Sequence, residues 1–153
     1  MRSEQLKGER ELEIFLRFVT VSQLRYDPNT AKKCDSPQPD ILCNHQFDGL
    51  VAFELVEICD QRIASAPSRL MDGGVEYIRT ADPTQKIIEK KLRCKYKCEQ
   101  PIELLCYTQG RVVTPGPMIS ARLRQYASLM RKSSFRKVWL LNSKTVSLIW
   151  ERR

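Results

Sequence analysis

Two acids stand out as residues able to do chemistry together. Asp40 follows Pro39 at the head of a short apolar run, PDILCN. Glu54 lies inside a longer one, LVAFELVEIC, flanked by Val51, Ala52, Phe53, Leu55 and Val56. A carboxylate among so many apolar neighbours is costly to bury unless it is paired or holds a cation. Two carboxylates on neighbouring strands suit Mg2+ or Mn2+, since Mg2+ takes few protein ligands and fills its shell with water and phosphate oxygens. Such an ion activates water and offsets charge on a phosphoryl group. Glu57, three residues on, faces the other side of the same strand by period-two alternation and reads as a strand-end acid.

Bringing Asp40 and Glu54 together requires particular elements. Residues 39–44 and 50–59 read as strands, and Asp48-Gly49 between them reads as a hairpin turn. Helical periodicity runs over 4–24, with Leu12, Phe15, Leu16 and Val19 among the recurring apolar positions. Residues 26–38 are rich in turn formers and read as loop, as do 60–82, where VEYI has room for a short element. A basic amphipathic helix is expected over 83–97, opened by Pro83. A strand is expected at 102–108, a helix at 117–132, and a closing hairpin from VWLLN and VSLIWE. The expected order is αββαβαββ, an α/β fold with a mixed sheet and helices on both faces, in a single domain over 1–153.

A proline-aspartate pair, a hairpin and an acid in an apolar strand resemble the PD-(D/E)xK, or restriction-endonuclease-like, nuclease superfamily. The resemblance extends as an order of elements over about residues 5–150. It implies a metal-dependent endonuclease, with Asp40 and Glu54 as catalytic metal ligands, Mg2+ or Mn2+ as cofactor and DNA as the favoured substrate. The motif's lysine belongs two residues after the acid, where this chain has Val56. Some family members take that lysine from the following helix. There, Ile87, Ile88, Leu92 and Tyr96 set an apolar face at 100° per residue, and Lys91 and then Lys95 project within it. Members of the superfamily also add a glutamate from the first helix, for which Glu9, with Glu13 four residues on, is the candidate.

The remaining features agree with a polyanion partner. There are 26 Lys and Arg against 18 Asp and Glu, a net charge of +8, and such a field attracts nucleic acid. Arg122, Arg124, Arg131 and Lys132 gather on the helix expected at 117–132 and would grip the phosphate backbone. The start of the chain carries four acids in thirteen residues, and no run reaches the ~20 apolar residues of a membrane span, which points to the cytoplasm. The six cysteines then read as thiols, and Cys34, Cys43, His45, Cys94 and Cys98 do not follow the spacing of zinc frameworks. His45 reads as a surface turn residue, and the glycines form no phosphate loop. Two readings compete with catalysis. One is an inactive nuclease-like module that binds nucleic acid or protein, favoured by Val56. The other is an oligomeric scaffold, for instance a homodimer, joined through VSLIW or the helix at 117–132.

Overall fold

The computed structural model describes residues 2–59, 84–110 and 114–153. The segment 60–82, with VEYI, and Pro83 lie outside the described residues. The fold is mixed α/β. Six strands, β1 (Lys32–Lys33), β2 (Ile41–His45), β3 (Gly49–Glu57), β4 (Ile102–Thr108), β5 (Phe135–Asn142) and β6 (Thr145–Glu151), form one sheet in chain order. The β3–β4 and β4–β5 pairs are parallel and the other three antiparallel. The helices are α1 (Arg2–Ser22), α2 (Thr84–Arg93), α3 (Gly116–Arg124) and α4 (Ala127–Lys132).

Alternation along the strands assigns the two cores. Val51, Phe53 and Leu55 turn to one face, where Ile14, Phe15, Phe18 and Val19 of α1 cover them. The rings of Phe15 and Phe53 lie 4.7 Å apart, those of Phe18 and Phe53 5.8 Å. Ala52 and Val56 turn to the other face, under Ile88 and Leu92 of α2, Ile119 and Leu123 of α3, and Met130 of α4. β4 is buried along its whole length, as a strand with parallel neighbours on both sides and helices on both faces must be. Each fully buried Phe, Leu or Ile stabilises the fold by roughly 1.5–3 kcal/mol.

Both hairpins form where the apolar runs and turn residues place them, and Gly49 takes φ +73° at the first turn. Three expectations are corrected. The stretch 26–38 is not wholly loop. Asp27 accepts from the Asn29 amide to cap a 3-10 turn at Pro28–Thr30, and β1 follows as a two-lysine edge strand, a charged edge that resists further pairing. The helix expected to reach residue 97 ends at Arg93, because Tyr96 leaves the helical path to pack its ring 5.6 Å from that of Phe135. The helix expected over 117–132 divides in two where the Gln125 and Tyr126 amides bond to carbonyls three residues back.

A second buried acid fixes the α1 face. Glu103, at 0% exposure, lies beside Phe53 on β4. It accepts from Tyr26 Oη at 3.0 Å, Trp139 Nε1 at 2.7 Å, and Arg136 Nε and Nη2 at 2.8 and 2.7 Å. Arg136 also reaches Asp48 at 3.0 Å, tying β5 to the first hairpin. Removing one partner of a buried ion pair leaves the other charge uncompensated. Arg136→Met is therefore expected to cost on the order of 3 kcal/mol, read from urea unfolding; a loss well below ~1 kcal/mol would show that Glu103 does not depend on it.

Candidate active site

Strand lengths create the site. β3 runs to Glu57, but the β2 ladder ends with Ile41 opposite Phe53. One step further along that register, Asp40 falls opposite Glu54. With no β2 residue beyond to pair with it, the Leu55 amide donates to Asp40 Oδ2 at 2.9 Å. The Asp40 carboxylate therefore stands at the lip of the sheet, within reach of groups from both faces.

On the α2 face, Asp40 and Glu54 share a carboxyl–carboxylate hydrogen bond. Lys91 of α2 brings its Nζ to 3.5 Å from Glu54 Oε1. Tyr96, just past the helix, lies close enough to Glu54 to lower its pKa. On the α1 face, Lys33 of β1 lies 3.2 Å from Asp40 Oδ1 and 3.4 Å from Glu11 Oε1. Glu11 also hydrogen-bonds Asp40. The acids thus form a chain, Glu11 to Asp40 to Glu54, with a lysine at each end.

The charges follow from these contacts. Burial works to raise Asp40, but hydrogen bonds from Glu54 and the Leu55 amide, with the Lys33 charge, outweigh it and hold Asp40 at about 2. Burial pushes Glu54 up to about 8, helped by the hydrogen bond and charge of Asp40 and opposed by Lys91 and Tyr96. Glu11 is raised by burial and by Asp40. Burial disfavours the Lys33 ammonium, yet the charges of Asp40 and Glu11 prevail and raise it. The two carboxyls resist ionising together, and Glu54 is the one whose proton is held more tightly.

The candidates from sequence fall at different places. Asp40, Glu54 and Lys91 meet. Lys95 lies beyond the end of α2 and is exposed. Glu9 and Glu13 are exposed on α1, and the acid that reaches Asp40 is Glu11. Glu11 had a legible signal: it shares the spacing of Ile14, Phe15 and Phe18, the buried stripe of the helix. Tyr96 read only as an apolar position, and Lys33 had no signal in a loop. Arg122 and Arg124 on α3 and Arg131 and Lys132 on α4 are exposed. Val56 is buried in the α2-side core. The His45 Nδ1 accepts from the Phe47 and Asp48 amides within its turn, each at 3.2 Å.

Among the described residues, no group of three or more His, Cys, Asp and Glu side chains is arranged to hold a metal ion. Asp40 and Glu54 are a two-carboxylate donor set at the open lip, already crowded enough to share a proton. That set fits one small divalent ion, which needs only one or two carboxylates beside water and phosphate oxygens. Among the described residues, no helix is long and apolar enough to cross a membrane. Comparison with family models, curated proteins and solved structures finds no match for this chain.

The raised Glu54 makes stability depend on pH. Between its ordinary 4.5 and about 8, the folded chain holds a proton that the unfolded chain has released. Stability then falls as pH rises through that window. Glu54→Gln should flatten the slope of thermal midpoint against pH between about 5 and 8, from the same raised carboxyl; an unchanged slope would show that Glu54 does not carry it.

Proposed function

We propose that this chain is a metal-dependent endonuclease that hydrolyses phosphodiester bonds, with DNA the favoured substrate. The observation that carries the reading is Asp40, one residue before β2, facing Glu54 of β3, with the Lys91 ammonium 3.5 Å from Glu54. The order α1, β1, β2, β3, α2, β4, with one acid heading the second strand and the other inside the third, supports a restriction-endonuclease-like assignment. So does the net charge of +8.

Asp40 and Glu54 would hold the ion. When bound, Mg2+ or Mn2+ supplies Lewis-acid charge and makes a coordinated water a better nucleophile. Asp40 is fixed for that task by the Leu55 amide, which sets the plane of its carboxylate. Glu54 is held by Lys91 at 3.5 Å. Lys91 takes the part of the lysine missing at Val56. Its ammonium, on the same face as the acid pair, orients the attacking water and offsets negative charge growing on the phosphate. The exposed Arg122, Arg124, Arg131 and Lys132 would contact backbone phosphates, which position a duplex without reading its sequence.

A second reading is a nuclease-like module without catalysis, favoured by the apolar Val56 buried where the motif places its lysine. Cleavage of plasmid DNA in Mg2+ and Mn2+ separates the two. Asp40→Asn should abolish cutting with the far-ultraviolet circular dichroism unchanged. Lys91→Ala should slow cutting by ~10²-fold or more, the usual effect of losing one charge-stabilising donor. DNA binding by the wild-type chain with no cutting in either metal would establish the module instead.

A further inference from the structure

Lys33 is placed by three separate constraints. Its backbone is fixed opposite Ile41 by the β1–β2 ladder. Its methylenes run beside α1 at Gly8, where a side-chain carbon on the glycine would lie 3.4 to 3.8 Å from Cε, Cγ and Cδ of the lysine. Its ammonium ends between two acids of different elements, 3.2 Å from Asp40 and 3.4 Å from Glu11. This is a cation on a tether, set into a pocket of negative charge. Lys91 is engaged differently, with one acid at 3.5 Å.

Asp40 is shared between two acids, facing Glu54 along the β2–β3 register and joined to Glu11 through the Lys33 ammonium on the α1 side. A two-ion phosphodiesterase seats its metals about 3.5–4 Å apart, bridged by a common carboxylate. Asp40 is placed to be such a bridge, and the position between it and Glu11 would be the second seat. A lysine ammonium already sits in it. A second divalent ion there would have to expel that ammonium, leave it facing a dication at close range and strip its two hydrogen-bond acceptors.

We propose that Lys33 is a built-in monovalent substitute for a second metal ion, so that the centre takes one divalent ion, at Asp40 and Glu54. The inference rests on the nuclease reading above and adds the stoichiometry of its cofactor. Lys33 is in this role a positioning residue, holding Asp40 and Glu11 with one permanent charge. Glu11 is then a ligand of the lysine and not of the metal.

The test counts ions without substrate. Mn2+ is titrated into the chain, and free Mn2+ is read by electron paramagnetic resonance. The wild-type chain should bind one ion. Lys33→Met should bind two, since the position between Glu11 and Asp40 is vacated. Lys33→Met with Glu11→Gln should return to one and guards against a fold disturbed by unpaired acids. Lys33→Arg, which restores the cation, should also bind one. One ion in the wild type and still one in a folded Lys33→Met variant overturns the inference and leaves the nuclease reading standing, as does a wild-type chain that binds two. A wild-type chain that binds none defeats the metal-dependent reading and this inference with it.

Discussion

The Leu55 amide is a small obligation with large consequences. A backbone N–H inside a sheet must find an acceptor, and a strand that outruns its neighbour has none from the ladder. β3 continues past the point where β2 begins, and the Asp40 side chain meets the need at 2.9 Å. That bond holds the carboxylate at the sheet's edge and helps keep it ionised against burial. Once Asp40 is held there as an anion, its surroundings follow. Glu54, directly opposite, cannot also ionise easily, and its carboxyl is raised. Lys33 is drawn in from one face, and Lys91 flanks the pair from the other.

The same helices that bury the sheet supply the polar groups. α1 covers Phe53 with Phe15 and Phe18 and places Glu11 on the same stripe. α2 inserts Ile88 and Leu92 and brings Lys91 to the rim between them. The two buried glutamates of the sheet show what this arrangement means. Glu103 is satisfied by Tyr26, Trp139 and both forks of Arg136, and it is a structural anion. Glu54 has one ammonium at 3.5 Å, one tyrosine and a competing acid. A buried acid whose partners fall short is where an added cation gains the most.

Much of this was readable from residue types. The strand IELLCYT has the bounds observed for β4, because a short apolar run between turn formers has few other ways to fold. The pairing of Asp40 with Glu54 was readable because a tight turn at Asp48-Gly49 leaves little freedom in the register. The signal for a reactive acid was less specific than it looked. Glu103 carries the same one, an acid within an apolar strand, and its structural role depends on Arg136, thirty-three residues away. Lys33 was unreadable because a two-residue edge strand has no periodicity. Tyr96 was unreadable as a polar partner because its contacts, Phe135 and Glu54, are tertiary and end the helix early.

Under the proposed reading, the exchange of a strand lysine for one on a helix has a physical logic of its own. Val56 packs among Ile58, Leu104, Cys106 and the residues of α2. An ammonium rooted there would begin inside an apolar layer and lose hydration before it reached Glu54, a cost of several kcal/mol in a medium of low dielectric. Lys91 starts from the helix that roofs that layer. It keeps 28% of its side chain in contact with solvent while its tip reaches the acid, as a long aliphatic stem allows. The strand can then remain apolar at position 56 and contribute to the core, and the charge arrives from the wet side. Under the proposed reading, Val56 marks where the cation is not rooted, and the requirement for one near Glu54 is met from Lys91 across the helix–sheet interface.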